Sequence, residues 1–327
     1  MKREQGVALI TVLLIVAIAT LITAALIARQ HLAIRSTNNQ LGARQALYFA
    51  MGGEALAKSI LLRDLQGTVD STQNTVDHPS EAWAQSLPPM PIEQGEIAVR
   101  INDLSGRFNL NSVVQDKQVN RVALERFQRL LRVLDIKDFN VNVLIDWLDE
   151  DQQVSGEAGA EDHQYLLAKP AYRNAGGSLA AVSELRLLLG MNEADYRRLQ
   201  PYISTLPEQT PLNVNTASAY VLASLADGLS LASAGKLQAQ AEQEGYRDLA
   251  MFLNQPALAG LAVPATGLDV SSQFFEVRSE VSLGGRRLVL VSALQRNTHG
   301  EVLVLGRTFA QAALLYESAT STEQDAL

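Results

Sequence analysis

Between Val7 and Ala28 the chain carries no charge, and Thr11, Thr20 and Thr23 are the only polar side chains. Wound as a helix at about 1.5 Å per residue, this stretch reaches about 33 Å, enough to cross a hydrocarbon core of about 30 Å. It is preceded by a very short basic leader, Met1-Lys2-Arg3-Glu4-Gln5-Gly6. A spanning helix so near the start leaves everything after it to fold on one side of a bilayer. A cleaved secretory signal is the competing reading, because Ala17, Ala19, Ala24, Ala25 and Ala28 can mimic a small-x-small cleavage site. Flanking charge does not orient the span, since Lys2 and Arg3 on one side face Arg29 and Arg35 on the other.

Beyond the span there is no proline from Arg29 to Arg63, and the only glycines are Gly42, Gly52 and Gly53. Leu32, Leu41, Leu47, Met51, Leu56 and Ile60 fall at loosely helical spacing, which predicts that the span runs on into an amphipathic half. One helix of about 55 residues results, a length that calls for a helical array or a membrane context.

A short basic leader ending in Gly6, then Val7-Ala8-Leu9-Ile10-Thr11-Val12-Leu13-Leu14, then a long half-exposed helix, resembles a type IV prepilin or pseudopilin. The resemblance implies cleavage between Gly6 and Val7 by a prepilin peptidase and methylation of the new N-terminus, Val7. It also implies an inner-membrane, single-pass protein whose leader is cytoplasmic and whose bulk is periplasmic. That family usually has Phe first and Glu fifth after the cut, where this chain has Val7 and Thr11. The usual glutamate pairs with the amine of a neighbouring subunit, offsetting the cost of a charge in apolar surroundings. A subunit at a filament tip has no such neighbour above it. In lacking that carboxylate the chain resembles the K-type minor pseudopilin of type II secretion systems. This resemblance implies a subunit that helps initiate and cap a periplasmic pseudopilus, with I-type and J-type minor pseudopilins and the major pseudopilin as partners.

The rest of the chain reads as α+β. Glu96–Asp103 alternates apolar and polar as a half-buried strand does, and Arg107–Asn111 reads as a second short strand after the Ser105-Gly106 turn. Phe274–Val281, Arg287–Leu294 and Glu301–Thr308, joined by Gly284-Gly285 and by Asn297–Gly300, make an antiparallel meander. Between the two β regions the pattern is helical: Asn120–Arg132, Asn142–Asp149, Ser183–Leu189, Glu193–Leu199, Ala217–Leu225 and Leu231–Gln243. The predicted architecture is a pilin-like long N-terminal helix plus a small antiparallel sheet, with a large all-α domain inserted in the sheet. Its divisions are a leader at 1–6, a span at 7–28, helix and first strands at 29–111, the inserted domain at 112–265 and the closing strands at 266–327.

The most charged stretch is Asp146-Trp147-Leu148-Asp149-Glu150-Asp151, followed across Gly156 and Gly159 by Glu157, Glu161 and Asp162. Carboxylates this dense repel one another and call for compensation. A solvated acidic loop that caps the next helix is one answer; calcium, which takes six to eight oxygens and suits a glycine-containing loop, is another. The spacing does not match an EF-hand. The segment is similar to the K-type segment that includes bound-calcium positions, and this resemblance implies calcium held by Asp149, Asp151, Glu161 and Asp162.

Other chemistry is poorly represented. With 27 basic and 35 acidic side chains the chain has a net charge of −8, which opposes binding to nucleic-acid phosphates. There is no cysteine for a disulfide, thiolate site or nucleophile. His31, His78, His163 and His299 are scattered outside metal or nucleophile motifs, and no glycine pair is followed by the Lys-Ser/Thr of a phosphate loop. Ser183–Tyr196 and Pro211–Ser218 resemble helix-hairpin-helix units, which elsewhere hold DNA backbone. Here the first turn carries Glu193 and Asp195 in place of a cation, which favours structural reuse of the hairpin. The expectation is a non-enzyme that binds no nucleic acid; the rival reading is a membrane-anchored module binding DNA or an exported protein through the hairpins.

Overall fold

The computed structural model describes residues 4–68, 76–297 and 300–310, with side chains described from Ala8 to Leu65 in the first helix. That helix, α1 (Glu4–Thr68), is a single unbroken rod of 65 residues. The large apolar side chains from Leu9 to Ile27 are all exposed, and the most apolar window of the helix has a mean hydropathy of 2.8. The three threonines do not leave polar groups loose there. Thr11 donates to the carbonyl of Ala8 at 2.9 Å, Thr20 to that of Ala17 and Thr23 to that of Ala19, both at 2.8 Å. Such back-bonding satisfies each hydroxyl within the rod, which an apolar medium demands.

The second half of α1 lies on an antiparallel sheet. Five strands, β1 (Met90–Ile92), β2 (Gly95–Asp103), β3 (Phe274–Leu283), β4 (Arg286–Arg296) and β5 (Val302–Ala310), stand side by side in that order. The buried face of α1 is not the predicted stripe of large residues. Leu32, Leu41 and Met51 are exposed, and the sheet instead receives Ala46, Ala50, Gly53, Glu54, Ala57 and Leu61. Small residues at this spacing let the helix axis approach closely. A side chain on Gly53 would place its Cβ 2.6 Å from Ser279 Oγ and 2.9 Å from Val99 Cγ2. Around this seam Trp83, Ile97, Val99, Phe275, Val277, Val281, Leu290 and Leu294 form one apolar core.

Two ion clusters pin helix to sheet. Glu54, buried in the seam, accepts from Arg307 Nε at 2.6 Å, Arg307 Nη2 at 2.8 Å and the Ser292 hydroxyl at 2.7 Å. At the far end Arg296 donates to Asp64 at 2.8 Å and to Asp77, with its guanidinium over the Phe275 ring at 4.9 Å. At the near end Arg286 reaches back to the carbonyl of Asn39 at 2.7 Å. β4 therefore runs in the same direction as α1, with its Arg296 end farthest from the apolar rod.

β2 and β3 pair along their whole lengths, from Gly95↔Leu283 to Asp103↔Phe275, although residues 104–273 lie between them. That excursion is mostly helical: α2 (Arg121–Val133), α3 (Val141–Leu148), α4 (Asp162–Tyr165), α5 (Glu193–Leu199), α6 (Ala219–Ala223), α7 (Leu231–Gln243) and α8 (Leu249–Leu253). It has two apolar cores, one running from Phe108 to Ile203 and one from Leu212 to Val270.

The two halves are built alike. Phe108–Asn109 pairs in parallel with Ile203–Ser204, and Leu212–Asn213 pairs in parallel with Leu268–Asp269. Each opens on an Asn-x-Asn turn in which the first asparagine accepts from the backbone N–H of the second, Asn109 from Asn111 and Asn213 from Asn215. The second asparagine then clamps a distant backbone segment. Asn111 holds Leu179 and Leu206, and Asn215 holds Tyr246.

Two local expectations are corrected. The predicted strand Arg107–Asn111 does not join the sheet: only Phe108–Asn109 is extended, and Leu110–Val113 turns into a 3-10 helix once the Asn109 side chain captures the N–H of Asn111. Ser183–Leu189 is a 3-10 helix over Val182–Leu187, not an α-helix. The predicted Asn297–Gly300 turn includes Thr298 and His299, which lie outside the described residues, as do residues 1–3 of the leader, 69–75 of the following loop and 311–327 of the closing segment. Gly6 and Val7 fall on the backbone of α1, and their side chains lie outside the described residues.

Candidate metal centre

The acidic stretch straddles the end of α3 and the start of α4, and the loop between them folds it into a cup. α3 is capped at its start by Asn140 and buries Val143, Leu144, Ile145, Asp146, Trp147 and Leu148, which carries Asp146 into the interior. Asp149 is the C-cap of that helix, and Glu161 stands at the N-cap of α4, in a capping box with Gln164. Trp147 packs edge-on against Tyr165 with ring centroids 5.3 Å apart, holding the two helices together beneath the cup.

Three of the four predicted ligands converge. Asp149, Asp151 and Glu161 each present a carboxylate oxygen within 4.8 Å of the others. Asp162 is turned elsewhere: one oxygen pairs with Arg173 Nη1 at 3.1 Å and the other accepts from the backbone N–H of Asn174 at 3.1 Å. His163 is exposed and is not among the converging groups.

Asp146 and Asn174 complete the cup, and neither was predicted as a ligand. Asp146 is fully buried; its Oδ1 accepts from Ser155 N–H at 2.9 Å and its Oδ2 has no partner. Asn174 donates to Glu161 Oε2 at 2.6 Å and to the carbonyl of Asp146 at 2.7 Å. The i,i+3 spacing of Asp146 and Asp149 on one helix face is the signal that points to the first; Asn174, across a long gap in sequence, offers none. Gly159 lies against the Asp146 carboxylate so closely that any side chain there would overlap it.

The electrostatics describe a site in want of positive charge. Asp146 Oδ2, Asp149 Oδ1 and Glu161 Oε1 are all buried without a hydrogen-bond partner, an arrangement that is costly unless something else occupies it. Burial, reinforced by repulsion from Asp146 and Asp149, pushes the Glu161 carboxyl up to about 7. Burial and the nearby Asp151 and Asp146 push Asp149 up to about 6. Every donor is a hard oxygen, the set that suits calcium and not a softer metal. Asp149, Asp151, Glu161 and the buried Asp146 thus fit a divalent cation.

A second convergence of carboxylates, Asp64, Asp77 and Glu81, does not. Arg296 already occupies it, paired with Asp64 and Asp77. The hairpin around Gly190 is similarly self-contained. Arg186 and Arg197 both bind Glu193, at 2.9 and 2.8 Å, so these cations are engaged within the protein and not held out toward a phosphate backbone.

Comparison with known proteins places these features together. The chain matches a family model described as type II secretion system, protein K, over residues 106–208, and a second model of that description over residues 212–271. These spans coincide with the two similar halves of the helical excursion. The chain is 48% identical over 320 residues to the type II secretion system protein K of Pseudomonas aeruginosa, with 96% of each chain covered. It is 35% identical over 322 residues to that of Klebsiella pneumoniae, with 94% of each covered. Among solved structures it is similar to a chain of the GspK-GspI-GspJ complex from the enterotoxigenic Escherichia coli type 2 secretion system. The TM-score is 0.75 at 28% identity, over 84% of this chain and 99% of that one.

Proposed function

The chain belongs to the type II secretion system protein K family and is a minor pseudopilin of that system; on that premise we propose that it stands at the tip of the periplasmic pseudopilus, which it helps to start and then caps. The observation that carries this reading is where the helical excursion is attached. β2 leaves the sheet at Asp103 and β3 re-enters it beside Phe275, at the same end as Arg296 and Asp64 and so farthest from the apolar rod. A subunit stacked beyond this end meets the excursion before it meets the sheet. Thr11 adds to the argument, because its hydroxyl is closed back onto Ala8 and the position offers no carboxylate to a neighbour's amine.

In this reading the apolar half of α1 holds the protein in the inner membrane, with the sheet and excursion in the periplasm. Prepilin peptidase removes residues 1–6 by cutting between Gly6 and Val7, Val7 is methylated, and the freed rod packs among the rods of other subunits. Those subunits are the I-type and J-type minor pseudopilins and the major pseudopilin; the solved neighbour, itself in complex with GspI and GspJ, supports the first two. Calcium held in the acidic cup ties the α3 end to the start of α4 and keeps the first half of the excursion rigid. The protein's work is assembly, not catalysis. Immunogold labelling of isolated pseudopili tests the placement: label at one end is expected, and label spaced along the shafts would refute it.

A further inference from the structure

Residues 76–83 lead the chain from the rod toward the sheet, and on the way they fasten the excursion. Asp77 donates its N–H to the carbonyl of Val270 at 2.9 Å, and its own carbonyl accepts from the Asn213 side chain at 3.0 Å. Its carboxylate accepts from the N–H of Ser272 at 2.7 Å. The His78 ring lies so close to Gly245 that a Cβ there would fall 2.8 Å from it. Trp83, at the other end of the segment, belongs to the core of the sheet and meets Phe275 edge-on at 5.2 Å. Glu81 ties the two ends together: its Oε2 accepts the backbone N–H of His78 at 3.0 Å and the indole N–H of Trp83 at 2.7 Å.

Both hydrogen bonds fall on one oxygen. The other, Oε1, faces His78 Nε2 at 4.0 Å, beyond hydrogen-bonding reach, so a proton can sit there without disturbing either bond. The surroundings call for that proton. Asp64, from α1, and Asp77 each bring a carboxylate oxygen within 4.8 Å of Glu81, while Arg296, from β4, pairs with those two aspartates. Three carboxylates thus share one guanidinium, and crowded like charges favour protonation of one of them. Asp103, at the end of β2, adds a fourth acid behind Asp77, bonded to the hydroxyls of Thr216 and Ser272 and the N–H of Ser105. On the excursion side Asp269 is turned onto the Val270 N–H and the Ser271 hydroxyl. His78 brings no lasting charge: burial pushes its ring down from the ordinary value, and its Nδ1 is engaged with Ser80 at 2.7 Å.

We propose that Glu81 is a proton-operated latch at the joint between the excursion and the sheet. A proton taken from solvent onto Oε1 removes the repulsion from Asp64 and Asp77 and lets residues 77–83 close on both sides. Its loss sets three carboxylates against one arginine and loosens the joint. Load on the excursion passes to the rod through this segment, so the molecule is stiffer in mild acid and more compliant above neutrality. Burial, reinforced by Asp64, pushes the Glu81 carboxyl up to about 7. Because the folded value is raised, the stabilisation is complete below the ordinary 4.5 and is lost as pH rises through about 7.

The test uses the full chain in mild detergent, as the parent and as Glu81→Gln, which keeps the shape of the neutral carboxyl. Amide hydrogen exchange at Asp77 and Ser272, corrected for the intrinsic effect of pH, reads the opening of the joint. Between pH 6 and pH 8 protection should fall by about tenfold in the parent and stay level in Glu81→Gln. The variant should also melt a few degrees above the parent at pH 8 and together with it at pH 5. Other raised carboxyls, such as Glu161 and Asp149, are present in both chains and cancel. A second measurement needs no variant: the carbon-13 resonance of the Glu81 carboxyl in the parent should titrate with a midpoint between pH 6 and pH 8. Joint amides equally protected at pH 6 and pH 8 in the parent, the same pH response in Glu81→Gln, or a carboxyl midpoint near 4.5 would each overturn the proposal.

Discussion

Acidification should detach α1 from the sheet through one residue, Glu54. Its carboxylate is 4% exposed and receives three hydrogen bonds, two from the Arg307 fork and one from Ser292. The bonds from Arg307 outweigh the burial that opposes them and hold the carboxyl at about 2, against an ordinary 4.5. At about 1.4 kcal/mol for each pH unit, this preference for the ionised form is worth about 3 kcal/mol to the folded state. Because the folded value is depressed, the whole of that stability is present above about pH 4.5; it is lost as pH falls from there through about 2. Glu54→Gln keeps the shape and removes the charge, so the parent and the variant should converge in acid. Thermal melts of the full chain in detergent, taken between pH 7 and pH 2.5, give the difference directly. It should be about 6 °C at neutral pH, at about 2 °C per kcal/mol for a chain of this size, and should have mostly closed by pH 2.5. Carboxyls whose folded values are raised, such as Glu81 at about 7 and Asp77 at about 6, act in the opposite direction and cancel in the comparison. A gap that stays constant down to pH 2.5 would show that Glu54 acts through packing and would refute the ionic account.

Neighbouring glycines on α1 should respond in opposite ways: Gly53→Leu forces the helix off Ser279 and Val99 and should lower the melting temperature by several degrees, whereas Gly52→Ala meets nothing within 4 Å and should raise it by a degree or two. Isothermal titration should find calcium bound by the full chain and a loss of at least tenfold in affinity for Glu161→Gln or Asp146→Asn; no binding by the parent would end the calcium reading. Asp162→Ala should weaken binding less, since its carboxylate is spent on Arg173 and Asn174. Replacing Gly6 by a larger residue should block cleavage and secretion together, and N-terminal sequencing of the parent should begin at Val7; normal processing of the variant would remove the cleavage assignment.

What could be read from the sequence was local. The span, the three-strand meander and helices such as α2, α5 and α7 announce themselves through runs, alternation and 3.6-residue spacing. The buried face of α1 did not, because a periodicity search looks for large apolar residues while this seam is made of alanine and glycine, whose virtue is their small size. Nor did the short strand at Phe108–Asn109: alternation over five residues cannot say that an asparagine side chain will seize the next N–H and end the strand. In the acidic cup, the convergence of Asp149, Asp151 and Glu161 follows the density of charge along the sequence. That Asp162 faces Arg173 was not legible, because adjacent residues at a helix start face different ways, and neither was the approach of Asn174 to Glu161, because only folding brings it back. The doubled Asn-x-Asn turn was visible in principle, but the helices that follow each copy differ enough to hide the repeat.

The pairing of β2 with β3 has an evolutionary consequence. Two antiparallel strands lie about 4.8 Å apart, and an ordinary hairpin joins them with a few residues. Here the chain leaves at Asp103, travels through residues 104–273 and returns one strand spacing from where it left. To the sheet, this excursion is a loop of unusual size whose two ends are already neighbours. Such a loop can lengthen, duplicate or be exchanged between lineages without any change in the register of the strands that hold it, since the only demand on a newcomer is that its termini meet. The doubled internal plan is what growth by copying within that permissive gap would leave behind. The register of the strands constrains the rod and the sheet, whereas it asks nothing of the interior of the excursion beyond the meeting of its ends.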